Sequence, residues 1–283
     1  MTHAKRFFGI AMVLAGIAAR ANAAELQSAT ERAWREYLRA AGIRLQARVE
    51  GRTPFLWMDE APDRAARAKR GDTIVAPLVG HGTQAVSNGL IHDWIGVVFI
   101  PNASIESLLS VVHDYDRYKD IYRPVVTDSR SIDSGAEAQE FSMVWQRHVL
   151  FVDAAMRGRY HARDVIISQH RGYSIVEAIT LQQIEDYGRS AQHLLPPDTG
   201  GGFIWRMYSI SRYEERDGGV YLEIEAIALS RDVPSSLRWL VNPVVNHLSV
   251  TSMSTTLRQT RDAVNSRLVA EERLTAIARK GLN

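Results

Sequence analysis

The residues of this chain that could do chemistry are nine histidines, several rows of arginine facing glutamate, and a set of methionine and aromatic positions. The histidines stand at positions 3, 81, 92, 113, 148, 161, 170, 193 and 247, and none falls at HExxH or comparable metal-ligand spacing. There is no GxSxG nucleophile elbow and no phosphate-binding glycine loop. Gly200-Gly201-Gly202 precedes a strand pattern rather than a helix, so it reads as a flexible loop. Two histidines have an acidic neighbour. In His113-Asp114-Tyr115-Asp116, His113 and Asp116 could share one side of a helical turn, which would orient an imidazole for acid–base work; a partly exposed helix surface explains the same residues. His92 and Asp93 lie in a strand pattern, so only one of them faces inward, and a hydrogen-bonded structural histidine accounts for that pair equally. These patterns assign no catalytic residue, no metal ligand and no cofactor.

The apolar rows are more informative. Alternation puts Phe141, Met143, Trp145 and Val149 on one face of a strand together with Arg147. It puts Ala154, Met156, Gly158, Tyr160 and Ala162 on one face of the next, with Arg157, Arg159, His161 and Arg163 opposite. In the last hairpin, Phe203, Trp205 and Met207 share a face on one strand, and Val220, Leu222, Ile224, Ala226 and Ala228 on the other. If these faces line a concave surface, they form a wall that adapts to irregular apolar ligands. Its lining would be Met143, Trp145, Met156, Tyr160, Trp205, Met207, Leu222 and Ile224, with Leu248 from a facing helix. A filled hydrophobic core is the alternative. Arg206 and Arg212 stand against Glu223 and Glu225, as cross-strand ion pairs would. Should that face line the cavity instead, Arg206 and Glu225 become polar anchors for a ligand, with His92 a third.

The elements that position these rows follow in order. Residues 1–23 read as an export signal: Lys5 and Arg6, then thirteen apolar residues from Phe7 to Ala19, then Ala21-Asn22-Ala23. The apolar run is short for a membrane span, and no later run approaches span length, so none is expected after cleavage. The full chain carries 34 basic and 32 acidic residues; without Lys5, Arg6 and Arg20 the balance is 31 against 32, which gives no basic footprint for nucleic acid. The export signal implies a periplasmic or secreted chain, and the absence of cysteine excludes a disulfide framework and thiol chemistry there, so an ordinary hydrophobic core must hold it. Residues 24–72 read as a helical accessory segment, with a helix from Glu25 to Ala41 stopped at Gly42 and a short strand from Ile43 to Val49.

The main domain spans 73–270, with 271–283 as a tail. It opens with short strands at Thr73–Val79 and Gln84–Asn88 and a stronger one at Leu90–Ile100, where Gly96 suggests a bend or bulge. A helical stretch from Ala103 to Tyr122 follows, which DYDRYKDIY could divide in two. Six strand patterns come next: 125–132, 140–151, 154–167, 173–184, 203–214 and 220–230, with Asp217-Gly218-Gly219 a strong hairpin signal. The chain then closes on a long helix, Asn242 to Leu268, with Asn242 as N-cap and Pro243 at the first helical position. Its stripe is Val244, Val245, Leu248, Met253, Leu257, Val264 and Leu268, along roughly 40 Å of helix.

This order, together with the stretch WRMYSISRYEERDGGVYLEIEAIALSRDVPSSLRWLVNP, resembles the helix-grip fold of the START and Bet v 1-like superfamily, exported bacterial START-like proteins included. The resemblance implies an α+β domain in which a curved antiparallel sheet wraps a long C-terminal helix, preceded here by a helical extension. It also implies a cavity between sheet and helix that takes a hydrophobic or amphipathic small molecule, a lipid among the candidates. Two other roles stay open on the same scaffold: a cyclase- or hydrolase-like enzyme with an inward histidine or carboxylate as base, and an envelope protein that binds a protein partner through the N-terminal layer.

Overall fold

A computed structural model describes residues 25–135, 138–149, 152–232 and 238–280; the proposed export signal lies outside them. The first element, α1, runs from Ser28 to Val49 in one piece. The strand expected at Ile43–Val49 is therefore helix, and Gly42 sits inside it. Trp34, Tyr37, Ala41 and Leu45 explain why: all four are buried at three- and four-residue steps, and that stripe continues through the glycine. The stop comes at Gly51, whose φ of 72° permits the left-handed turn in which Arg52 N–H reaches Ala47 O at 2.9 Å. A 3₁₀ turn at Trp57–Glu60 and helix α2 (Pro62–Lys69) complete the N-terminal layer.

Ten strands then form one sheet: β1 Ile74–Pro77, β2 Thr83–Val86, β3 Gly89–Pro101, β4 Val126–Ser134, β5 Gln139–Val149, β6 Val152–Ser168, β7 Arg171–Glu185, β8 His193–Leu194, β9 Arg206–Arg216 and β10 Gly219–Arg231. The order is β1-β3-β10-β9-β7-β6-β5-β4, with β2 beside β3 and β8 beside β7, and every pairing is antiparallel. The hairpin from β9 to β10 turns on Asp217 and Gly218, both with positive φ (57° and 79°), as a tight two-residue turn requires. Between β3 and β4 the chain makes α3 (Ile105–Val112), a 3₁₀ turn at Tyr115–Arg117 and the single-turn α4 (Tyr118–Ile121), so the aromatic segment does divide the helix. Ser104 caps α3 through a reciprocal pair of hydrogen bonds with Ser107.

The last helix, α5, extends from Arg238 to Lys280. It begins before Asn242, so Pro243 falls in its second turn rather than at its start, and it passes position 270 without a break. Met253, Leu257 and Val264 seat it on the inner face of β3 and β10, against Trp94, Val98, Val220 and Leu222. Gly96 is a point of close approach: a Cβ there would come within 2.7 Å of Leu257 and 2.8 Å of Met253. The strand keeps its register through Gly96. The glycine therefore makes room for the helix and introduces no bulge. The result is an α+β helix-grip fold of the START-like kind, with an antiparallel sheet folded over a C-terminal helix and a helical N-terminal layer on the outside.

Candidate functional site

Alternation along each strand divides the sheet into an inner face toward α5 and an outer face toward α1 and α2. The inner face has two halves. On β3 and β10 it is closed by α5, as described above. On β5, β6, β7 and β9 it is an aromatic and methionine wall. Phe141, Met156, Tyr160, Ala162, Ala178 and Leu181 form a buried floor with Tyr115, and Met143, Trp145, Val176, Ile204 and Met207 pack around it only half-buried. The rings are ordered: Tyr115 stacks on Phe141 at 4.2 Å and Phe141 on Tyr160 at 5.0 Å between centroids. The β5–β6 register explains this, because it sets Phe141 opposite Tyr160, Met143 opposite Gly158 and Trp145 opposite Met156. Gly158 is required here, since a Cβ would lie 2.3 Å from the Tyr160 ring. The Tyr160 hydroxyl accepts a hydrogen bond from Trp145 Nε1 at 3.1 Å, and burial raises its pKa well above the ordinary phenol value.

Five of the residues expected to line a ligand thus come together: Met143, Trp145, Met156, Tyr160 and Met207. Leu222 and Ile224 belong to the neighbouring half, under α5, and Leu248 is half-buried on α5 itself. Trp205 does not share the face of Met207. β9 begins only at Arg206, so alternation cannot be carried back to it, and Trp205 packs on the outer face with Trp34, Tyr37, Ile91, Ile227 and Leu229.

The three expected polar anchors also separate. His92 shares the inner face with Trp94 by alternation, and its Nε2 pairs with Ser230 Oγ at 2.8 Å. Burial pushes its imidazole down to about 4, so it is neutral at ordinary pH. Arg206 and Glu225 lie on the outer face. Arg206 donates to Glu31 at 3.1 Å and also binds Asp198, holding α1 and the loop before β9. Glu225 belongs to a buried network that sequence reasoning placed in the right strands but not under a helix. Arg212 donates to Glu223 at 2.8 Å and to Glu225 at 3.1 Å; Arg44 of α1 donates to Glu225 at 3.0 Å and to Asp93 at 3.2 Å; Tyr37 donates to Asp93 at 2.6 Å; and Glu223 also accepts from the Met58 N–H at 3.2 Å. Two guanidinium groups face three carboxyls. Burial first, and then the charge of Glu225, push the Asp93 carboxyl up to about 6.

His113 is paired, but not with Asp116. Its Nε2 meets Asp164 Oδ2 at 2.9 Å, while Asp116 accepts from the Ser131 N–H at 2.9 Å. Asp164 also accepts from the Ser174 hydroxyl. Burial pushes this carboxyl up, but the bonds from His113 and Ser174 outweigh that and leave it below the usual range. The imidazole borders an open cleft of about 660 Å³ between α3 and the β6–β7 turn, whose walls include Ile105, Leu109, His170 and Glu215. Glu215 is already engaged there, accepting from the Ile105 N–H at 3.0 Å. Among the described residues, no three His, Asp or Glu side chains gather as a metal would require. No described helix is long and apolar enough to cross a membrane.

No family model matches the chain, and no curated protein matches it in sequence. Solved structures of similar layout include a STAR-related lipid transfer protein from Xanthomonas axonopodis, at 16% identity and a TM-score of 0.42, covering 68% of this chain and 98% of that one. Human STARD10 is similar at 10% identity and a TM-score of 0.41, over 69% of this chain and 78% of that one. The Zhui aromatase/cyclase from Streptomyces sp. R1128 is similar at 10% identity and a TM-score of 0.41, over 63% of this chain and 96% of that one. At such scores the likeness is one of layout, and the strand order and gripped helix themselves carry the fold.

Proposed function

We propose that this chain is an exported binding domain that holds a hydrophobic or amphipathic small molecule, a lipid being the leading candidate, against the aromatic half of the inner face. One observation carries the reading. Met143, Trp145 and Met207 face inward, toward the gripped helix, yet stay half-exposed beside a fully buried aromatic floor. Large apolar side chains left accessible in a concave, inward-facing wall mark a place for an apolar guest. Affinity would come from apolar burial at about 25 cal/mol per Å². The exported half of the reading rests on the sequence alone, through Lys5 and Arg6, the apolar run after them and Ala21-Asn22-Ala23. N-terminal sequencing of the protein recovered from the exported fraction should begin at Ala24.

The direct test is native mass spectrometry of protein purified from that fraction, followed by organic extraction. A stoichiometric adduct, lost in Trp145→Ala while the fold persists by circular dichroism, supports the reading and names the ligand class. A clean unliganded mass, with no uptake of fatty acids, phospholipids or sterols offered afterwards, would sink it.

A further inference from the structure

Resting on the ligand reading above, the inner row of β5 says more about what the guest must be. Its inward residues run Phe141, Met143, Trp145, Arg147, over about 20 Å of strand. Three apolar positions in the row are followed by a cation, two residues before the strand ends at Val149. Across from these four on β6 stand Tyr160, Gly158, Met156 and Ala154, so nothing acidic faces Arg147 from the paired strand. The arginine is half-buried, and burial presses its pKa down with no carboxylate opposing it.

Among the other partly or fully buried arginines, Arg231 also lacks a carboxylate among the described residues and its side chain reaches only the Gly201 carbonyl, at 3.4 Å, but six others are paired. Arg44, Arg64, Arg206, Arg212, Arg216 and Arg267 each reach a carboxylate within 4 Å. Arg147 has no hydrogen bond or ion pair among the described residues. Its nitrogens still reach solvent, so water is its present partner, and a guest that covers this position must supply another. An oxyanion supplies it in the best geometry, because the planar fork binds two oxygens of a carboxylate or phosphate at once.

We infer that Arg147 anchors the head group, and that the guest is an anionic amphiphile whose tail lies along Trp145 and Met143 and whose carboxylate or phosphate meets the guanidinium next along the row.

The test uses the full mature chain and four probes with one tail: dodecanoate, dodecyl phosphate, dodecanol and dodecyltrimethylammonium. Titration calorimetry should show both anions binding about tenfold or more tightly than dodecanol, the effect of one charge-assisted pair. The cation should bind more weakly than dodecanol. Arg147→Gln should erase the preference for anions while keeping the dodecanol affinity, and Arg147→Lys should restore part of it. The relative strength of dodecanoate and dodecyl phosphate tells which oxyanion the site favours. Equal binding of anions and dodecanol by the wild type, or an anion preference that survives Arg147→Gln, overturns the anchor while leaving an apolar grip in place. Failure of all four probes overturns both readings together. Thermal melts of the two variants, expected to match the wild type because the side chain is only half-buried, guard against a folding artefact.

Discussion

On the outer face of β3, β9 and β10, Asp93, Arg212, Glu223 and Glu225 are buried, and each reaches at least one partner of opposite charge. On the inner face of β5, the half-buried Arg147 reaches none among the described residues. The same sheet treats charge in two ways. Beneath α1 the charges are enclosed and each is paired, although Arg44 Nε, Asp93 Oδ1 and Arg212 Nη2 have no hydrogen-bond partner among the described residues, with apolar packing by Trp34, Trp57, Met58 and Trp205 around them. Inside the grip the apolar wall is incompletely covered, and Arg147 is unanswered among the described residues. A buried ion pair is weak evidence for a binding site, because both partners are already present. An unanswered charge beside accessible apolar surface points to something absent from the chain itself.

The comparison breaks most sharply at Arg212. Arg212→Met removes the cation between Glu223 and Glu225 and leaves two buried carboxylates under-compensated. A loss of about 3–5 kcal/mol in urea unfolding is expected, without change in ligand uptake by the grip. Arg159→Met, which breaks the pair with Glu140 on the exposed part of the outer face, should cost under about 1 kcal/mol. Similar losses for the two variants would mean that the network under α1 is no more enclosed than the surface.

The two tryptophans test the faces directly. Trp205, 5% exposed on the outer face, should cost about 3–5 kcal/mol when cut to alanine and leave binding intact. Trp145→Ala, on the half-exposed wall, should cost about 1–2 kcal/mol and abolish binding. If Trp145→Ala is as destabilising as Trp205→Ala, the wall is a filled core, and the distinction between the faces fails.

Much of the architecture was legible because strands declare themselves by a period of two. The six patterns match β4, β5, β6, β7, β9 and β10 to within a few residues of their ends, the two-residue β8 is too short to leave one, and Asp217-Gly218 announces its hairpin. The errors have physical causes. Ile43 to Val49 alternates like a strand, yet Ile43 is 61% exposed, and only the stripe through Trp34, Tyr37, Ala41 and Leu45 decides the helix. Which face of β10 would line a cavity was not legible, because both faces are covered, one by α5 and the other by the N-terminal layer. The partner that Arg44 brings to Glu225 lies 181 residues away, beyond the reach of any local pattern. Arg147 was visible on the inner row, but its lack of a partner is a property of the folded surroundings.

A further expected effect concerns pH, and it sharpens what enclosure means on the outer face. Two guanidinium groups reach three carboxyls by hydrogen bonds, and burial first, then the charge of Glu225, push the Asp93 carboxyl up to about 6. Because that value is raised above the ordinary carboxylate near 3.8, the contribution of Asp93 to stability is fully present below the unfolded value and is lost as pH rises through about 6. Between about pH 7 and about pH 5 it should add about 1–1.5 kcal/mol to the wild type. Asp93→Asn keeps the shape and an oxygen to accept from Tyr37, but cannot titrate. The gap between the two unfolding curves should therefore shift in favour of the wild type by that amount on acidification, while every other titrating group cancels in the difference. Parallel pH profiles would show that Asp93 stays ionised in the fold, and that the charges under α1 are balanced by solvent reaching Arg44, whose side chain is 35% exposed, rather than by a proton.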